Sequence, residues 1–295
     1  MHDAIIVGGG FAGLAAATYL GRARADVLVF DTGAPRNRFA QTSHGFLGHD
    51  GKPPLAILAA AREQLASYPT VALSTSNAIE AGTTEGGFFV RAADGTEATA
   101  RRLILAFGLN DTLPQVPGLA ERWGRSVIHC PYCHGFEFSD RELGVLYSAP
   151  GSLHQARIVR EWGPVTLFLN GHPIDDAERA ALAALGIAIE PEPVVALGGA
   201  DRSLEAVRLE GRTVPIDALY VAPRSTLSSP LAAQLGCIVD EGPMGPVIRT
   251  DADRMTTVSG VFAAGDIARA PHSVSWAVAD GVTAGTAAHR SLVFG

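Results

Sequence analysis

Ala4-Ile5-Ile6-Val7-Gly8-Gly9-Gly10-Phe11-Ala12-Gly13 is the stretch that decides the fold. Ala4 to Val7 is a short, continuous apolar run, as a parallel strand buried on both faces requires. The six residues from Gly8 spell G-x-G-x-x-G. Leu14 to Leu20 then reads as an Ala-rich helix. Val27-Leu28-Val29-Phe30 reads as a second apolar strand, ending at Asp31, 18 residues after Gly13. Strand, glycine turn, helix and strand in this order make a dinucleotide-binding unit. Gly8 makes the tight turn, Gly10 lets the backbone approach a pyrophosphate, and Gly13 lets helix and strand pack closely. The helix N-terminus, with Phe11 and Ala12, faces the phosphates. Asp31 is placed to accept hydrogen bonds from a ribose hydroxyl pair.

Further along, Leu55 to Ala66 reads as an amphipathic helix. Phe88 to Arg91, an Asp94-Gly95 turn and Thr96 to Ala100 form a small antiparallel excursion that feeds back into a strand at Leu103 to Ala106. Pro114, Pro117 and Gly118 mark a hinge. The pattern then restarts. Leu143 to Tyr147 and Val165 to Leu169 are apolar strands, with helices over Ser152 to Trp162 and Ala177 to Leu185. Ala206 to Leu209, Val214 to Ile216 and Ala218 to Val221 repeat the hairpin-and-strand theme. Gly260 to Asp266 returns to a strand and glycine-rich turn, and a helix over Val278 to Leu292 closes the chain. The expected fold class is α/β, with two Rossmann-like dinucleotide-binding domains of three-layer ββα type. The second, 115–245, is inserted into the first, 1–114 and 246–295.

The formal charge of -7 and the lack of any basic run argue against a nucleic-acid surface. No apolar stretch approaches the length of a membrane span. The N-terminus runs straight into a strand, without the pattern of a signal peptide, so a cytoplasmic location is expected. Three cysteines do not make a disulfide scaffold. Cys130-Pro131-Tyr132-Cys133 is instead a loop able to open and close as a disulfide. Cys130 to His134 also spells the C-x-x-C-H haem-attachment pattern, but no second axial ligand is identifiable nearby. Zinc needs four ligands, and Cys237, which reads as a buried free thiol, does not supply a second pair, so no metal is expected.

Taken together, Gly8 to Gly13 with Asp31, the strand and turn from Leu103 to Gly108, Cys130 to Gly135, and Gly260 to Asp266 resemble the low-molecular-weight thioredoxin reductase family. That resemblance implies FAD in the first domain and a nicotinamide nucleotide in the second, which carries the Cys pair beside the flavin. It implies a homodimer. It also implies that Gly108, Gly265 and Asp266 contact FAD, the last two near its phosphate and ribitol. Arg36 and Arg38 are further candidates for the FAD adenosine phosphates. Trp276 and Ala277, where reductases have Gln-Ala, are candidates for covering the flavin.

The chain departs from that family in three places. The G-x-G-x-x-A turn of the second domain reads Tyr147-Ser148-Ala149-Pro150-Gly151-Ser152, so side chains fill both glycine positions and Pro150 removes an N–H. The basic cluster that holds a 2′-phosphate is replaced by Leu169-Asn170-Gly171. Reductases follow the second Cys with Asp-Gly, whereas this chain has His134-Gly135. Cys-Pro-aromatic-Cys-His-Gly is similar to the dithiol oxidases that close disulfides in natural products of the gliotoxin, holomycin and romidepsin types. That likeness implies a small-molecule dithiol as substrate and electrons passing from Cys130 and Cys133 to FAD and then to O2. Cys130 would be the interchange sulfur and Cys133 would face the flavin. His134 is the first candidate base, and His272 a second. The other enzyme reading is a thioredoxin reductase-like disulfide reductase fed by NAD(P)H or another donor.

Overall fold

The computed structural model describes residues 1–295. They divide into two compact units, the first from Met1–Arg38, Pro54–Asp111 and Ser225–Gly295, the second from Phe39–Pro53 and Thr112–Arg224. The expected boundaries differ at three points, the first segment ending at Asp111 rather than at 114. The chain re-enters the first unit at Ser225 rather than at 246, and Phe39–Pro53 groups with the second unit.

The first unit opens with β1 (His2–Val7), whose last four residues are buried, then α1 (Phe11–Arg22) and β2 (Val27–Phe30). After α2 (Pro54–Leu65) come β3 (Val71–Ser74), β4 (Ala78–Thr84), β5 (Gly87–Ala92) and β6 (Glu97–Leu105). The sheet order is β3-β2-β1-β6-β5-β4. β3, β2, β1 and β6 are parallel, and β4, β5 and β6 are antiparallel. β6 is one nine-residue strand where the sequence suggests two, because its halves serve different neighbours. Glu97 to Ala100 pair with β5, and Leu103 to Leu105 with the strand Val261–Ala263. β7 (Leu109–Thr112) follows.

The second unit contains β8 (Val127–Ile128), α3 (Pro131–His134), β9 (Leu143–Leu146), α4 (Gly151–Val159), β10 (Val165–Phe168), α5 (Asp176–Ala184) and β11 (Ala188–Glu190). β12 (Ala196–Gly198), β13 (Ala206–Leu209) and β14 (Arg212–Pro215) form an antiparallel sheet. β15 (Ala218–Val221) then completes a parallel sheet in the order β11-β10-β9-β15-β8. Every residue of β9 and β15 is buried, as the apolar runs require of central parallel strands.

β16 (Arg224–Leu227) pairs with β7, and this ladder fixes where the chain returns. α6 (Leu231–Gln234), the β17 (Val239–Gly242) and β18 (Gly245–Ile248) hairpin, β19 (Val261–Ala263) and α7 (Val274–Phe294) complete the first unit. Two parallel-sheet units, each with helices and a small antiparallel sheet or extension, give the Rossmann-like architecture that the sequence suggests.

α7 crosses α1 at backbone contact. A Cβ on Gly281 would sit 2.1 Å from the Ala12 carbonyl oxygen, and one on Gly285 would sit 2.8 Å from that of Ala16. Small residues four apart on both helices permit this approach, and it carries the last helix over the glycine turn. Gly281→Ala therefore forces the helices apart and is expected to cost about 1–3 kcal/mol. Thermal unfolding checks this, and a variant as stable as the parent would show that the crossing is looser than described.

Candidate active site

The turn between β1 and α1 is shaped by exclusion. A Cβ on Gly8, at φ +104°, would meet the Ala106 carbonyl oxygen at 2.3 Å, and one on Gly13 would meet the Gly8 oxygen at 1.8 Å. Gly10 is different, since nothing lies within 4 Å of its Cβ direction. Gly10 is also the N-cap of α1, and no side chain caps that helix. An open cradle at an uncapped helix N-terminus, with Phe11 and Ala12 in its first turn, fits a pyrophosphate. Asp31 stands at the end of β2, where its Oδ1 accepts from the Gly33 amide at 3.1 Å. Arg62 of α2 reaches its Oδ2 at 2.6 Å and the Gly9 carbonyl at 3.3 Å. The sequence reading missed Arg62, which lies one helix away from the motif it supports.

A second cluster in this unit centres on Arg36. Its Nε and Nη2 donate to the two Asp111 oxygens at 2.8 and 2.7 Å, and its Nη1 donates to Asp266 Oδ2 at 2.9 Å. Nη1 also donates to His272 Nδ1 at 2.8 Å, and Ser225 Oγ lies 3.1 Å from Nη2. Burial opposes the Arg36 charge, but Asp111 and Asp266 more than offset it, so the guanidinium stays protonated. His272 thus has one ring nitrogen committed, and burial lowers its pKa. Arg38 Nη1 donates to the Pro35 carbonyl at 3.0 Å.

Gly265, at φ +81°, precedes Asp266, and a Cβ on it would approach that of Ala12 at 3.1 Å. The Gly265 amide donates to Asp280, a buried carboxylate of α7. Arg254 Nη2 pairs with Asp280 at 2.6 Å, and Arg269 Nε lies 2.9 Å away, as an ion pair poorly angled for a hydrogen bond. Desolvation still raises the Asp280 pKa. The Arg269 guanidinium lies 5.2 Å from the Trp276 ring, whose amide is capped by Ser273 at 3.1 Å. Ala277 follows Trp276 in the first turn of α7, and Gly108, at φ +78°, ends the turn after β6 in open space.

In the second unit Cys130 and Cys133 are joined as a disulfide. Cys130 is the N-cap of α3, Pro131 occupies its first turn, and His134 ends it. Gly135 is required here, because a Cβ would meet the Pro131 oxygen at 2.5 Å and the Trp162 ring at 2.8 Å. Tyr132 packs edge-on against the same ring. Gln155 of α4 donates to the His129 carbonyl at 2.8 Å, anchoring the strand end that leads into the loop. Burial lowers the His134 pKa, and the neighbouring Glu137 only partly counters it, so the imidazole is neutral at neutral pH. His44, from the Phe39–Pro53 loop, stands edge-on to His134 with its Nε2 3.3 Å from Glu137. Tyr220 of β15 is fully buried with an unpartnered hydroxyl, and its pKa is pushed up by burial and by Glu137. Neither Glu137 nor Tyr220 carries a sequence signal. An open pocket of about 220 Å³ lies at Cys133, lined by Tyr132, Phe136, Gly45, His44, Asp50 and Glu137.

The second glycine-type turn is occupied by the protein itself. Ser152 stands where the family has Ala, and it is fully buried. Its Oγ accepts from the Ser148 amide at 3.1 Å and lies 3.4 Å from that of Ala149. Tyr147 packs against His172 with ring centroids 5.3 Å apart. Asn170, after β10, accepts from the Val194 amide.

These contacts make Arg36 the hub of the first unit's charges. Arg36→Met strips Asp111 and Asp266 of their partner and should cost roughly 3 kcal/mol. Thermal unfolding reads this directly, and an unchanged midpoint would show that the carboxylates do not need the guanidinium.

The profile of the pyridine nucleotide-disulphide oxidoreductase family matches residues 2–281. The thioredoxin reductase sirT of Leptosphaeria maculans is 32% identical over 306 residues, covering 97% of this chain and 93% of that protein. The thioredoxin reductase tcpT of Claviceps purpurea is 33% identical, covering 99% and 94%. A solved oxidoreductase from Agrobacterium tumefaciens superposes with a TM-score of 0.94 at 45% identity, covering 99% of both chains. The structure of HlmI superposes at 0.92 with 36% identity, covering 99% of this chain and 92% of that one. No helix is long and apolar enough to cross a membrane. With its cradle for FAD and its closed Cys pair, the chain belongs to the pyridine nucleotide-disulphide oxidoreductase family, as a thioredoxin reductase-like flavin-dependent thiol/disulfide oxidoreductase.

Proposed function

We propose that this enzyme is a dithiol oxidase, which closes a disulfide in a small-molecule dithiol and passes the electrons through FAD to O2. The observation that carries this reading is the turn after β9. A pyrophosphate binds to backbone amides left open by glycines, as at Gly10. Here the Ser148 and Ala149 amides point to the Ser152 hydroxyl, and Pro150 has no amide to give. A nicotinamide nucleotide would have to displace a fully buried serine from its partners. The pocket beside Cys133 supports a small substrate, being below the roughly 300–1,000 Å³ of drug-sized sites. Its exposed rim residues Tyr132 and Phe136 suit an apolar ring.

When bound, FAD supplies a two-electron acceptor for the Cys pair and a donor to O2. His134, neutral and partly buried, takes the proton of a substrate thiol. The thiolate attacks Cys130, the Cys130–Cys133 bond breaks, and Cys133 leaves as a thiolate. The second substrate thiol loses its proton and attacks the mixed disulfide, releasing the cyclised product and the Cys130 thiolate. The pair closes again as its two electrons leave, so that dithiol and O2 give disulfide and hydrogen peroxide. By the family resemblance Cys133 faces the flavin, and the enzyme works as a homodimer. Gly108, Gly265 and Asp266 are assigned to FAD on the same ground, and Asp31, Arg36, Arg38, Trp276 and Ala277 by their positions, with His272 as a second proton acceptor once its Nδ1 is released by Arg36.

Cys130→Ser and Cys133→Ser are each expected to keep the yellow cofactor and abolish peroxide formation with a dithiol. Turnover retained in both would refute the mechanism. His134→Gln should lower kcat by about 10²–10⁴-fold. Because the His134 pKa lies below the ordinary value of about 6.5, the acid limb of the wild-type rate should fall below that pH. An acid limb above it would assign the base elsewhere.

A further inference from the structure

Three side chains that are separated in sequence meet beside the redox loop of the second unit. His44 comes from the Phe39–Pro53 segment, His134 ends α3, and Glu137 lies in the turn that follows. One ligand atom from each lies within 4.8 Å of the other two. We propose that His44, His134 and Glu137 form a binding site for a divalent cation of the zinc type.

Zinc stands about 2.0–2.2 Å from nitrogen and oxygen ligands in a tetrahedron, whose edges are then roughly 3.3–3.6 Å. His44 Nε2 and Glu137 Oε1 are already 3.3 Å apart. His134 closes the triangle with a side-chain shift of about an ångström, judged from the same edge length. The two imidazoles stand at 86° with centroids 6.0 Å apart, so they converge rather than stack. Two imidazoles and one carboxylate suit zinc and its transition-metal neighbours, whereas magnesium and calcium prefer all-oxygen sets.

Asp50 Oδ2 lies 3.6 Å from His44 Nδ1, on the ring nitrogen that would not bind the ion. A carboxylate behind a histidine favours the tautomer with Nε2 free, the usual support of a metal-binding imidazole. Thr42 Oγ1 is 3.0 Å from His44 Nε2, and an ion would take over that contact. The fourth position opens onto the pocket that Cys133 and Tyr132 line, where water completes the shell. An ion here takes the His134 lone pair and so blocks thiol deprotonation. That consequence rests on the oxidase reading, but the binding itself does not.

The test uses the oxidised, FAD-loaded protein with no dithiol present. Equilibrium dialysis against Zn²⁺ followed by metal analysis should find one ion per chain. Co²⁺ should give a d–d absorption on the long-wavelength side of the flavin band, bleached by EDTA. His44→Ala and Glu137→Gln should each weaken Zn²⁺ binding on the order of 10-fold or more. His154→Ala, an exposed histidine of α4 outside the cluster, should leave it unchanged. An unaltered flavin spectrum certifies that each variant is folded. No stoichiometric uptake by the wild type, or uptake that survives both cluster substitutions, would overturn the site.

Discussion

Backbone amides at a strand-to-helix turn must find partners, and this chain answers that demand differently in its two halves. After β1 no side chain caps the helix, and the direction a Cβ would take at Gly10 is empty. After β9 the Ser152 hydroxyl accepts from the Ser148 amide and lies near that of Ala149, both ahead of α4, whose N-cap is Pro150. The two units share an architecture, with a central parallel sheet and an antiparallel extension, but their turns differ: Gly10 is the N-cap of α1, whereas Pro150, which has no amide hydrogen, is the N-cap of α4. The direction of electron flow in the proposed reaction rests on this difference, since Pro150 and the Ser152 contacts leave fewer amides for a nicotinamide nucleotide.

Charge placement in the first unit serves the same turn. Asp280, buried on α7, takes the Gly265 amide and is held between Arg254 and Arg269. Arg36 ties Asp266 to Asp111 and His272. Buried ion pairs of this kind contribute little net stability against apolar replacements, but each becomes costly once a partner is lost. Their effect is to fix the Gly265–Asp266 turn beside α1, where the α7 crossing at Gly281 also converges. In the second unit the short helix α3 is held by packing instead, with Trp162 against Tyr132 and above Gly135.

Much of this was legible in the sequence, because it is local. The glycine turn, Asp31, the apolar strands, the Cys-x-x-Cys loop and the side-chain-filled second turn are all read within a few residues of each other. The helix starts and ends shift by a few residues, as with α7, which begins at Val274 rather than Val278. What the sequence hides is set by pairing across distance. β6 reads as two strands because its halves have different neighbours. The return to the first unit falls at Ser225, where β16 pairs with β7, a partner more than 100 residues earlier in the chain. Arg36 reads as a candidate for the FAD adenosine phosphates, but its protein partners Asp111 and Asp266, 75 and 230 residues away, are not visible in the sequence. His44 joins His134 and Glu137 for the same reason, and metal ligation, discounted from cysteine spacing alone, becomes a question once the fold brings two histidines together.

The measurement that bears most directly on the central claim is an anaerobic titration of the purified protein, followed at the flavin absorbance band. One sample receives NADPH and another a small dithiol, and air is then admitted. The dithiol should bleach the flavin, NADPH should leave it oxidised, and air should restore the band with formation of hydrogen peroxide. Rapid bleaching by low concentrations of NADPH would mean that a nucleotide enters the second unit despite Ser152, and the enzyme would then be a reductase.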